Sequence, residues 1–118
     1  MAATKAASTL LTSQSLAAGA SVNSNEFNLS TAYRGRTNVR LTNGASAPTT
    51  APVVTFYTGE ATGVKRKLYS QSGDTIASSV SDITCEYGLA DMFGNVTITN
   101  GATNPITVEV FGEAATGI

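Results

Sequence analysis

In the stretch Asn95-Val96-Thr97-Ile98-Thr99-Asn100-Gly101-Ala102-Thr103-Asn104-Pro105-Ile106-Thr107-Val108-Glu109-Val110, two alternating runs are separated by an Asn-Gly pair and a proline. Val96 and Ile98 alternate with Thr97 and Thr99; Ile106, Val108 and Val110 alternate with Thr107 and Glu109. Period-two alternation rich in β-branched residues marks a strand with one buried face. Asn-Gly supplies residues that tolerate φ > 0, so it reads as a turn between strands. The pattern occurs twice. Asn38-Val39-Arg40-Leu41-Thr42-Asn43-Gly44-Ala45-Ser46-Ala47-Pro48 matches positions 95–105 at an offset of 57, with seven of eleven residues identical. In both copies a β-branched run follows the proline. Either two similar turns arose in a Ser/Thr-rich chain, or the chain is two related half-sandwiches.

The rest of the chain has the same period. Phe27 and Leu29, Val54 and Phe56, and Ile83, Cys85 and Tyr87 alternate with polar neighbours. Val64, Arg66 and Leu68 share one face of their run, and Lys65, Lys67 and Tyr69 the other. Residues 59–63 read as a hairpin loop and Ser72-Gly73-Asp74 as a further turn. Thr75–Ser81 has room for one turn of helix, and Ser8–Ser15 reads as a first strand. The expected fold is all-β: a single β-sandwich or jelly-roll-like barrel of about eight antiparallel strands. Its expected bounds are an extended arm over 1–7, the sandwich over 8–112 and a tail over 113–118. For 118 residues the folded surface should be about 6,000 Å², enough for one two-layer core.

Composition removes most chemistry. There is no His, hence no imidazole base and no His metal site. One cysteine, Cys85, permits no intrachain disulfide and no thiolate zinc cluster; its place in an alternating run makes it a small core residue. No Ser-x-x-Lys, Walker A or Asp-x-Asp calcium pattern occurs, and Asp82, Glu86 and Asp91 read as turn and surface acids. No enzyme, cofactor, metal or small-molecule substrate is expected. With a net charge of −1, nucleic acid is not an expected partner. No apolar run is long enough to span a membrane as a helix. The N-terminal residues contain no seven-residue apolar region, so they read as mature chain made in a cytoplasm.

Charge is polarised along the sequence. Arg34, Arg36, Arg40, Lys65, Arg66 and Lys67 fall within residues 34–67, opposed only by Glu60; residues 68–118 hold six acids and no base. One reading is solvated strand faces, with the lysines guarding a sheet edge. The other is docking, in which a basic strand pair meets an acidic surface on a partner or on a copy of the same chain. Tyr33-Arg34-Gly35-Arg36 is either a bulge at Gly35 or part of the same contact patch, since Tyr and Arg favour interfaces. The candidate interface residues are therefore Tyr33, Arg34, Arg36, Arg40, Lys65, Arg66 and Lys67.

Three segments carry a family resemblance: Ser13-Gln14-Ser15-Leu16-Ala17-Ala18-Gly19-Ala20; Phe27-Asn28-Leu29-Ser30; and Val39-Arg40-Leu41-Thr42-Asn43-Gly44-Ala45 with Pro48. Across roughly residues 8–111 the chain resembles small virion proteins of tailed bacteriophages, the capsid decoration or cement proteins with β-sandwich or jelly-roll-like folds. The resemblance implies a structural protein on the outside of a phage capsid. Its implied partners are the major capsid protein and copies of itself, as a dimer or trimer. Phage tail and neck (head-completion) proteins have similar composition and are the nearest alternative. A carbohydrate-binding or adhesive module is a further one, although the chain has no Trp and only four Tyr for a sugar platform.

Overall fold

The computed structural model describes residues 4–116. Nine strands form two sheets, with no helix among the described residues. They are β1 (Thr4–Leu16), β2 (Ser21–Asn23), β3 (Phe27–Asn28), β4 (Ala32–Asn43), β5 (Val53–Gly59), β6 (Arg66–Ser72), β7 (Val80–Tyr87), β8 (Phe93–Thr99) and β9 (Ile106–Thr116). Sheet I has the order β1-β9-β4-β7; sheet II has the order β2-β8-β5-β6, with β3 also on β8. Every pairing is antiparallel. The accessible surface is 6147 Å², as the chain length predicts.

The alternation decides which side chains enter the core. Val39, Leu41, Ile83, Cys85, Tyr87, Val108 and Val110 project from sheet I, against Val54, Phe56, Val96 and Ile98 from sheet II; all are buried. Burying each large side chain is worth about 1.5–3 kcal/mol, which sets the facing of both sheets. Tyr87 is the one long polar side chain inside, and its hydroxyl meets Thr37 Oγ1 at 3.3 Å.

The repeated motif explains the topology. β4 leaves sheet I at Asn43 and the chain enters sheet II as β5; β8 leaves sheet II after Thr99 and the chain enters sheet I as β9. The two copies thus cross between sheets in opposite senses at the same pole, beside each other. They bond to one another there. Thr49 N–H donates to the Ala102 carbonyl (2.9 Å), Ala102 N–H to Thr50 Oγ1 (2.7 Å) and Asn104 Nδ2 to the Ala47 carbonyl (3.0 Å).

The two asparagines do not make tight hairpins. Both are buried, and each side chain ties its loop down. Asn43 Nδ2 donates to the Asp74 carbonyl, Asp74 Oδ1 and the Ile76 carbonyl at 3.0–3.1 Å. Asn100 Nδ2 donates to the Leu16 and Asn104 carbonyls at 3.0 and 3.1 Å. Asp74 in turn accepts from the Ile76 N–H and the Ser79 and Ser81 hydroxyls, and these bonds lower its pKa. Positive φ falls at Gly19, Gly63, Ser78, Thr103 and Asn104 instead of at Gly44 and Gly101. Gly101 is required for space: a Cβ there would lie 1.7 Å from the Thr50 carbonyl oxygen.

Several expectations shift. Strand β1 is longer than Ser8–Ser15. Thr4–Ala7 and Glu113–Thr116, read as arm and tail, pair with each other in sheet I, Lys5 opposite Ala115 and Ala7 opposite Glu113. Residues 1–3 and 117–118 lie outside the described residues. Thr75–Ser81 holds a turn and the start of β7, with no helix, because Asp74 and Asn43 capture the backbone groups that a helical turn would use. The hairpin over 59–63 joins β5 to β6 as expected. Its strand β6 is the exposed rim of sheet II, and a shift in register lies opposite it between Phe56 and Tyr57. Tyr69 therefore turns toward the core, its ring centroid 5.0 Å from that of Phe56 and its hydroxyl donating to the Thr84 carbonyl.

The two Asn-Gly copies should respond differently to the same substitution. Gly101→Ala is expected to cost about 2–3 kcal/mol through overpacking on Thr50. Gly44→Ala should stay within about 0.5 kcal/mol, because a Cβ there meets nothing closer than 4.0 Å. Urea midpoints of the two variants check this.

Candidate functional site

The outward positions of sheet I form a patterned face. Along β4 the buried Thr37, Val39 and Leu41 alternate with Arg36, Asn38 and Arg40; along β9 the buried Val108, Val110 and Gly112 alternate with Glu109, Phe111 and Glu113. Register aligns them in rows. Arg36 stands between Glu113 on β9 and Glu86 on β7; Asn38 between Phe111 and Thr84; Arg40 between Glu109 and Asp82. A basic strand thus runs between two acidic ones. β1 adds only small residues to these rows, Ala7 beside Glu113 and Thr9 beside Phe111.

Hydrogen bonds link the side chains within and between the rows. Arg36 donates to Glu113 Oε1 at 2.9 Å and Asn38 Nδ2 donates to the same oxygen. Thr84 Oγ1 donates to Asn38 Oδ1 at 3.1 Å, and Arg40 grips Asp82 through two bonds of 2.8 and 3.1 Å. The Arg36 guanidinium and the Asn38 amide hold the Glu113 carboxyl below its ordinary range, and Arg40 does the same to Asp82. Phe111 stands in the middle row, 39% exposed. A shallow groove of about 260 Å³ runs beside it, and a second hollow of about 410 Å³, with Lys5, Arg34 and Glu86 on its walls, lies further along this sheet.

The expected interface residues split into two groups. Arg34, Arg36 and Arg40 lie on β4, at the centre of sheet I; Tyr33 sits at the register shift where β4 parts from β9. That irregularity precedes Gly35. The glycine itself serves packing, since a Cβ there would press on the Leu29 side chain. Arg66 and Lys67 lie on β6, the rim of the other sheet, and Lys65 just precedes it. The two basic segments therefore do not make one strand pair. Arg66 is bound to Glu60, whose carboxyl that bond lowers to about 2, and Lys65 Nζ sits 4.8 Å from the centre of the Tyr57 ring. Sequence reasoning missed Glu109, Phe111 and Glu113. Their signal was present in the β9 alternation, where the outward positions are two acids and a large aromatic.

Cys85 is buried, and burial pushes its thiol pKa up, away from the reactive thiolate. Asp91 is spent on the Thr58 hydroxyl and the Gly88 N–H. Among the described residues no cluster of His, Cys, Asp or Glu has the grouping of a metal site, and no helix is long and apolar enough to cross a membrane.

Carboxyls whose pKa is depressed in the fold contribute stability that is present above their unfolded pKa, about 4 for Asp and Glu. That stability is lost as pH falls through the folded value. Glu113→Gln is expected to lower the urea midpoint of dilute protein at pH 7, and its midpoint should converge on the wild-type value as pH falls through the lowered pKa of Glu113. A gap that persists at low pH would assign the loss to packing instead of charge.

No family model and no curated protein matches the chain. Among solved structures it is similar to a protein from work on Bacillus endospore appendages, described as a family of disulfide-linked pili. That likeness has a TM-score of 0.58 at 17% identity, over 98% of this chain and 91% of the other. At this identity the shared property is the fold, a two-sheet sandwich.

Proposed function

We propose that this chain is a non-enzymatic structural subunit of a repeating particle, and that within that class it is the decoration, or cement, protein on the outside of a tailed-phage capsid. The observation that carries the reading is the outer face of sheet I. Alternating charge, planar donors and one exposed aromatic are displayed there on a hydrogen-bonded sheet. Groups fixed in this way lose little freedom when a partner covers them, so binding free energy is not spent on ordering them. Few lysines and glutamates elsewhere lower the same cost. In this role the partners are the major capsid protein and further copies of the chain, and the protein resides in the virion.

A second reading, a tail, neck or tube component, is favoured by the rims. β1 and β7 bound sheet I and β2 and β6 bound sheet II; within each sheet the two rims run in opposite directions. Copies placed side by side in one orientation would continue both sheets by antiparallel pairing, the arrangement that closes rings or extends tubes. The likeness to a pilus subunit suits this mode of stacking. Disulfide linkage is not part of either reading, because Cys85 lies inside the core.

Negative-stain images of the native particle test the two. Hundreds of copies on a shell support decoration, and a ring or tube supports the alternative. Reversing the charges of Lys65, Arg66 and Lys67 together is expected to release the protein from particles at moderate salt while leaving it folded, with only a small fall in melting temperature from the lost Arg66–Glu60 pair. Normal co-purification would remove them from the contact. Cys85 should stay unmodified by thiol reagents until the chain is unfolded, and should form no cross-linked species under oxidising conditions. Rapid labelling of folded protein would show that the core opens.

A further inference from the structure

We propose that the outer face of sheet I binds a second copy of itself, about a two-fold axis that runs along the strands between β4 and β9. This rests on the reading of that face as a contact surface and names its occupant. A two-fold axis in that position preserves height along the strands and exchanges β4 with β9. Whatever stands opposite in the sheet therefore stands face to face in the dimer. Arg36 is opposite Glu113, and Arg40 opposite Glu109. In the dimer Arg36 meets the second copy's Glu113, and Arg40 its Glu109, each contact made twice.

The centre fits as well. Asn38 is opposite Phe111, so each exposed Phe111 ring covers the Asn38 side chain of the other copy instead of colliding with its own equivalent. The groove of about 260 Å³ between Asn38, Arg40, Asp82, Glu109 and Phe111 receives that ring. At the margins the acidic β7 comes to lie over β1, whose outward residues in these rows are Ala7 and Thr9. No acid faces an acid. Had the acids stood on the same strand as the arginines, the same axis would have stacked like charges. The antiparallel placement of a basic strand beside an acidic one makes the face self-complementary.

Size agrees. Four strands at about 4.8 Å spacing and the 11 residues of β9 at about 3.4 Å give roughly 700 Å² per copy. That is close to the roughly 800 Å² per partner of a standard interface. The two sheets stay near the aligned packing of sandwich layers, within about 30°.

Sedimentation of the full chain tests the proposal without any particle. Wild type is expected to dimerise below about 1 mM at low salt, weakening at least about tenfold toward 0.5 M salt. Arg40→Glu alone and Glu109→Arg alone should each raise Kd at least about tenfold, because each then sets like charges face to face. An equimolar mixture of these two variants should form a heterodimer, since in it both contacts pair opposite charges. Melting curves verify that each variant is folded. If Arg40→Glu does not fold beside Asp82, Arg36→Glu with Glu113→Arg repeats the test two rows along. A wild type that stays monomeric near 1 mM, single variants that dimerise like wild type, folded single variants that do not rescue each other, or species that grow beyond dimers each overturn the proposal. A monomer that nonetheless coats particles would remove the dimer and leave the structural-subunit reading intact.

Discussion

Two crossovers that turn the same corner in opposite senses hold this sandwich together. A chain passing from one sheet to the other leaves its ladder, and the backbone groups it takes along need new partners. Here each crossover supplies them for the other. Thr49, Thr50 and Ala47 bond to Ala102 and Asn104, while Asn43 and Asn100, buried at the two departures, secure the ends. With the corner closed, β4 must lie beside β9 and β5 beside β8. The other strands add to the flanks of these two pairs.

This explains what could be read from the sequence and what could not. Alternation reports which face of a strand is buried, so Val39, Phe56, Cys85, Ile98 and Val108 were legible as core. It does not report which strand lies alongside. Arg40 and Lys65 are near in sequence yet belong to the centre of one sheet and the rim of the other, and no local pattern separates them. The acids of β9 lie about seventy residues from the arginines of β4 and stand directly beside them. The repeated Asn-Gly motif was the strongest clue to topology. It was legible as two equivalent turns, but the structure uses its asparagines as buried donors and needs only one of its glycines for space. Turn chemistry alone does not distinguish these uses, because the close approach of Thr50 to Gly101 is a long-range contact.

The patterned outer face of sheet I follows from the same closure. Once β4 and β9 are neighbours, their outward residues are locked in rows. Exposed ion pairs of this kind add little to stability, typically under about 1 kcal/mol. Their value lies in specifying position. Arg36, Arg40, Glu109 and Glu113 encode a spacing along the strands that only a surface with the reciprocal spacing can match. In the proposed role such a code would set position, and the core beneath it keeps the spacing constant.

The burial of Asn43 and Asn100 also bears on chemical ageing. An asparagine followed by glycine is the pair most prone to lose ammonia through attack of the next backbone nitrogen on the side-chain amide. In the folded chain both amides are clamped by carbonyls and withheld from that attack. In the unfolded chain nothing withholds them, and the product is a carboxylate that would return to a place lined with carbonyl oxygens. Burying it there without a donor is costly. Time spent unfolded thus leaves an indelible mark on this protein, whereas a copy folded promptly and kept folded is preserved for as long as its corner stays shut.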